Sequence, residues 1–190
     1  MNKFTDFISP VLKTVDNGDF FKKPMTWVYY LISFLNLLIP LFVLYHAIEV
    51  GIFSGGAKWV FGFILTWLFL AAACWVGFQI WWDRKDKVQE SSKKDDRFAS
   101  TPVFSHFLQT FGEWLGSFFA IAGFGSALIG AIFLSGGSIP GLDMFTGSWI
   151  NIIIYPIVGY LIVVIFRFIA EQVRALVEIA NNTRNNSSVK

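Results

Sequence analysis

The chain has 190 residues, of which 55% are hydrophobic and 15% charged, where soluble domains carry about a quarter charged. With 22 Phe and 8 Trp it holds more aromatic bulk than a soluble protein of this length can bury beneath a polar surface, so lipid is the medium that accommodates it. The formal net charge of +2 implies no acidic polymer, hence no nucleic acid, as partner, and a single Cys74 in an apolar run excludes a disulfide framework or cysteine zinc site within one chain.

In chain order, Met1 to Gly18 comes first. Asp6, Pro10 and Asp16 interrupt any signal-peptide core. Phe4, Phe7, Ile8, Val11, Leu12 and Val15 recur at steps of three and four, with Lys3, Asp6, Ser9, Lys13 and Asp16 on the other face. The pattern predicts an N-terminal amphipathic helix within residues 1–23, lying in the headgroup region or docking on a partner.

Lys22-Lys23-Pro24 opens a first predicted span from Pro24 to about Ile48, belted by Trp27, Tyr29 and Tyr30 at one end and Tyr45 at the other. Gly51 to Ala57 is a turn. A second span runs from about Lys58 to Trp82, and the two form a hairpin over residues 24–82. Then comes the most polar stretch, Asp83 to Arg97, with eleven charged residues in fifteen, six basic and five acidic. A charge at the bilayer centre costs roughly 3 kcal/mol or more, so residues 83–101 are predicted to form a charged loop outside the lipid.

Ser100 or Thr101 caps a third span that opens at Pro102 and lasts to about Leu134. Ser135 to Ser148 is a Gly-rich connection. The fourth span starts at Trp149, reaches about Arg167 and continues into a charged amphipathic helix to about Ala180, followed by a polar tail. Residues 102–170 make the second hairpin, and residues 171–190 the C-terminal helix and tail. The fold class expected is thus all-α integral membrane: four transmembrane helices as two hairpins, plus an N-terminal interfacial and a C-terminal cytoplasmic helix.

Positive charge orients it. Four basic residues precede the first span, six lie in the middle loop and four follow Phe166, while Lys58 alone lies on the opposite side. The positive-inside rule then places both termini and the loop in the cytoplasm and the protein in the cytoplasmic membrane. The sequons at Asn181, Asn185 and Asn186 carry no meaning on that face. A Pro opens each hairpin (Pro24, Pro102) and each outer turn holds Ser-Gly-Gly, at offsets of 78 and 81 residues. A duplication, if that is the origin, gives parallel repeats.

Phe98, Thr101-Pro102, a hairpin with a Gly-rich turn, Arg167 with Glu171 four residues on, and Glu178-Ile179-Ala180-Asn181-Asn182-Thr183 together resemble the bacterial two-span membrane-hairpin family called domain of unknown function 4282. The resemblance covers roughly residues 98 to 184. Asn181 stands where that family often has Glu, and Glu178 where it often has Arg. It implies a membrane hairpin ending in a cytoplasmic helix, and brings no activity or cofactor.

Several residues invite a chemical reading. Pro40 cannot donate to the carbonyl of Asn36, and Pro156 does the same to Ile152. Freed carbonyls at mid-membrane either belong to a transporter site or accompany an interhelical bond from Asn36 and a mild kink. His106, Gln109, Glu113 and Ser117 form a polar stripe at steps of three and four, either the mouth of a proton or cation path or a helix start facing headgroups. His46 and His106 lie at opposite membrane faces, and no metal-ligand spacing accompanies either. No cofactor motif is present, and no nucleophile stands in a credible setting, so no catalytic residue, cofactor or metal ligand is assigned.

Small residues speak of packing. Gly112, Gly116, Ala120, Gly123, Ala127 and Gly130 repeat along the third span, and Gly62, Thr66, Ala73 and Gly77 share the period in the second. Such stripes let helix backbones approach closely, within the bundle or between copies. A polar pair, Glu113 with Arg167, is expected at the cytoplasmic boundary, with Glu171 as the competing partner of Arg167. The leading expectation is a non-enzymatic scaffold or accessory subunit of a membrane complex, with the lipid bilayer and either a protein partner or a homo-oligomer around it. The alternative is a small oligomeric channel or transporter.

Overall fold

The computed structural model describes residues 19–90, 100–133, 145 and 147–187. The expected helix over residues 1–18, the loop core at 91–99 and most of the Gly-rich connection lie outside the described residues. What is described is all-helical, with four helices long and apolar enough to cross a membrane.

Helix α1, Asp19–Glu49, begins before Pro24, which therefore sits inside the helix, as Pro40 does, rather than opening it. Gly51 then takes a left-handed conformation (φ 76°) that L side chains rarely adopt, and its N–H donates to the carbonyl of Ile48 at 3.1 Å. A short 3-10 turn, Ile52–Ser54, completes the reversal.

Helix α2, Ala57–Glu90, does not stop at Trp82. It carries the chain two turns into the expected charged loop, whose first eight residues are therefore helix. Polarity keeps these residues out of lipid but does not disfavour helix. They also find partners: Lys85 stacks 4.2 Å above the Trp82 ring, and Val88 is fully buried beside Tyr29, Trp81 and Val103.

Helix α3, Ser100–Phe133, opens with Pro102 in its first turn and is interrupted by a π-helical segment, Phe119–Gly123, that the sequence pattern did not announce. Helix α4, Asn151–Ser187, runs past Arg167 without a break and includes seven residues expected to be tail.

Sequence neighbours pack together: α1 on α2, α2 on α3, α3 on α4, with a lesser contact of α1 with α3 and none between α4 and either α1 or α2 among the described residues. Near the turns the core is apolar: Val43, Ala47, Phe63, Leu70, Ala73, Cys74, Ala122 and Phe145. At the other end the core surrounds Tyr29 and Trp81, and most of the buried polar side chains gather there.

Candidate functional site

That polar end is built from one face of each helix. Tyr29, Ser33 and Asn36 follow one another at steps of four and three on α1, so all three turn inward, at most 1% exposed. On α3, Ser105, Gln109 and Glu113 repeat every four residues, with His106 and Thr110 beside them. Helix α2 adds Trp81 and Arg84, and α4 adds Arg174.

Two hydrogen-bonded branches result. In the first, the Tyr29 hydroxyl lies 2.8 Å from His106 Nδ1 and donates to Thr110 Oγ1 at 3.2 Å, while Thr110 donates to the His106 carbonyl at 2.9 Å. A phenol has one proton to give. The part Nδ1 plays toward Tyr29 follows the ring tautomer. The other ring nitrogen, Nε2, is buried and has no protein partner among the described residues.

The second branch joins three helices. Arg84 Nη2 donates to Glu113 Oε2 at 2.6 Å, and Gln109 Nε2 donates to Glu113 Oε1 at 3.0 Å. Arg174 gives Nη2 to Gln109 Oε1 at 2.5 Å and Nε to Ser105 Oγ at 3.0 Å, and Ser105 in turn donates to the Ala170 carbonyl at 2.8 Å. A cavity of about 350 Å³ opens beside this branch, its wall including Arg84, Lys87, His106, Gln109 and Arg174. Further into the bundle, Trp114 Nε1 donates to Asn36 Oδ1 at 2.9 Å, and Asn36 Nδ2 to the Ile32 carbonyl at 2.8 Å. Asn36 thus makes an interhelical bond. Pro40's own carbonyl, rather than the one it frees, receives Trp67 Nε1 at 2.8 Å.

The expected pair of Glu113 with Arg167 does not form. Arg167 lies 3.6 Å from Glu171 on its own helix, both about 59% exposed, and Glu113 is taken by Arg84. The cause is the extended α2. Residues 83–90, expected as loop, continue the helix and carry Arg84 to the height of Glu113. Of the polar stripe, His106, Gln109 and Glu113 meet in the site, while Ser117 bonds back to the Trp114 carbonyl at 2.9 Å and stands outside it.

The small-residue stripe faces α4 over most of its length. A Cβ on Gly112 would strike the Phe166 side chain, and one on Gly123 would come 2.7 Å from Tyr155 Cγ. Gly116 and Gly159 present backbone to each other, with Ala120 beside Gly159. Ala127 is fully buried, and Gly130 is met by Gly147 just before α4. Gly125, outside the stripe, gives its face to Phe69 of α2. Tyr29, expected in the aromatic belt, is instead fully buried in the site, and Arg84, Gly159 and Arg174 join it in carrying this architecture. The inward spacing of Tyr29, Ser33 and Asn36 was the available signal.

Chemically, the site can hold an anion beside Arg84 and Arg174. Ser105 is spent on a backbone carbonyl, Cys74 lies in the apolar core, and no group of three or more His, Cys, Asp or Glu that could hold a metal occurs among the described residues. No family model, curated protein or solved structure matches the chain.

Proposed function

We propose that this is a multi-pass protein of the cytoplasmic membrane, two hairpins with the Arg84 end and both termini cytoplasmic, acting as a non-enzymatic scaffold or accessory subunit. The second half is, on this reading, a hairpin of the kind its resemblance implies. The supporting observation is the state of α4. In its most apolar stretch only 6% of residues are buried, against 22%, 39% and 44% in α1, α2 and α3. Lipid suits that stretch. Beyond Arg174, however, Leu176 and Ile179 are 66% and 61% exposed on a segment that also carries Glu178, and by rise per residue this part lies about 35 Å or more from the start of α4. Apolar side chains there have passed the hydrocarbon and gain most from a protein partner.

Purification in mild detergent tests this. A stoichiometric companion that Leu176→Asp with Ile179→Asp releases supports the scaffold; a homo-oligomer that conducts ions in liposomes sinks it. For orientation, in a Cys74→Ala background, Ser92→Cys and Ser188→Cys are expected to be shielded from an impermeant thiol reagent in intact cells and Ser138→Cys to react. Labelling at position 92 from outside reverses the arrangement.

A second reading is the oligomeric channel or transporter, which Ser33, Asn36 and Thr66 do not themselves line, since each is buried within one chain and bonded there. Beyond Asn36 the interior of one chain is filled by Val43, Phe63, Leu70 and Phe145, so any path would run between copies.

A further inference from the structure

We infer that the cavity between the ends of α2, α3 and α4 is a binding site for a phosphate-bearing anion, with Arg174 as its principal contact and Arg84 as its second.

Charge and orientation carry this together. Arg84 is neutralised by Glu113 at 2.6 Å, whereas Arg174 has no carboxylate within ion-pair distance among the described residues. Lys87, Glu90 and Arg174 are all exposed, and Lys87 and Glu90 are opposite in sign, so among the described residues the cavity wall keeps one positive charge, that of Arg174, without a carboxylate of its own. An arginine with no task at a membrane boundary would extend its head into water and keep its rotamer freedom. Arg174 is instead tied at Nε and Nη2 by two neutral acceptors, Ser105 and Gln109, and each of these is fixed by a further bond, to the Ala170 carbonyl and to Glu113.

Gln109 decides the matter. Its amide stands between Arg174 and Glu113, giving oxygen to the one and nitrogen to the other. The guanidinium is thereby positioned by the carboxylate's network without being neutralised by it. Among the described residues two of its five N–H donors are used, which leaves three for a ligand in the cavity that this side chain lines. A planar cationic fork with spare donors matches phosphate oxygens, which accept bidentately. The volume of about 350 Å³ leaves room for a phosphate with a small substituent.

Two sources offer this chemistry. Arg174 stands 23 residues beyond Asn151, about 35 Å along α4, which is headgroup depth if the helix start marks the opposite interface. Basic pockets between spanning helices are where anionic lipid headgroups settle. A soluble phosphate compound would use the same contacts from the aqueous side.

The test takes the full chain in neutral detergent at constant ionic strength. Phosphatidylglycerol, diacylglycerol (comparable tails, no phosphate) and inorganic phosphate against chloride are added in turn, with binding read by native mass spectrometry and by Tm. Phosphatidylglycerol is expected to be retained and to raise Tm, and diacylglycerol is not. Arg174→Gln should weaken retention roughly tenfold or more, the effect of losing a charge-assisted contact. Lys23→Gln, which removes a charge from the same end but outside the cavity, should bind as the parent does. If inorganic phosphate raises Tm and displaces the lipid, the site stands and its occupant is a soluble phosphate compound. Binding of neither phosphate above its control, equal binding by Arg174→Gln, or equal loss in Lys23→Gln would each overturn the proposal. Should Arg174→Gln fail to fold, Arg174→Lys, which keeps the charge but loses the planar fork and its spare donors, carries the same comparison: a weaker complex supports the site, an unchanged one removes it.

Discussion

The α3–α4 seam and the polar end of the bundle hold helices together by opposite means. Along the seam, Gly112, Gly116 and Gly123 give up side chains so that Phe166, Gly159 and Tyr155 can come close. At the polar end, Tyr29, Arg84, Gln109, Glu113 and Arg174 reach across gaps that hydrogen bonds then close. In lipid the hydrophobic effect does not draw apolar helices together, which leaves shape and polar bonds as the available means. Shape tolerates no added volume. Polar bonds tolerate substitution only if no partner is left buried and unpaired. The two regions should therefore fail differently.

The largest effect is expected at the seam. Gly116→Leu drives a branched side chain into the backbone of Gly159 and the side chain of Val163, which α4 can relieve only by moving away. A loss of about 3 kcal/mol or more is expected by analogy with overpacked cores, read from unfolding in detergent. Ile121→Leu, a volume-conserving change on the same helix, is the control and should cost less than about 1.5 kcal/mol. Equal melting of the two would mean that close backbone approach does not hold the seam.

A smaller and more specific effect is expected at the polar end. Glu113→Gln leaves Arg84, 26% exposed, facing a neutral amide and should cost about 2 kcal/mol. In a double-mutant cycle with Arg84→Gln the coupling should be about 1 kcal/mol or more, since both variants abolish one bond. Zero coupling would dissolve the pair and, with it, the anchoring of α2 to α3.

The smallest effect belongs to Arg167→Gln. Its contact with Glu171 is a surface pair four residues apart on one helix, so the loss should be about 0.5 kcal/mol or less. Its coupling to Glu113→Gln should be indistinguishable from zero. A measurable coupling would restore the cross-helix pair that the spacing suggested and the structure does not contain.

That last contrast shows where sequence reading ran out. Four helices long and apolar enough to cross a membrane and the existence of a close-packing stripe were legible, because hydropathy and residue size act locally and repeat with the helix period. The inward row of Tyr29, Ser33 and Asn36 was equally legible, yet an aromatic at a span end reads first as a belt residue. The continuation of α2 to Glu90 was not, because charged residues are compatible with loop and helix alike, and only burial of Val88 and the partners of Arg84 and Lys85 tip the balance. The π segment at Phe119–Gly123 was likewise invisible. Within it, Gly123 meets Tyr155, a residue far away in the chain.

By itself, then, the sequence determined that this chain forms four long apolar helices and which residues are small enough to let them touch. Only the tertiary structure decided which charge meets which. Glu113 had Arg84, Arg167 and Arg174 within reach by depth alone, and depth is all that a count along the helix supplies. The choice turns on helix rotation and register, which are set by the packing of whole helices at once. That packing gives Arg84 to Glu113, leaves Arg167 outside with Glu171, and holds Arg174 on a neutral amide with its charge unspent.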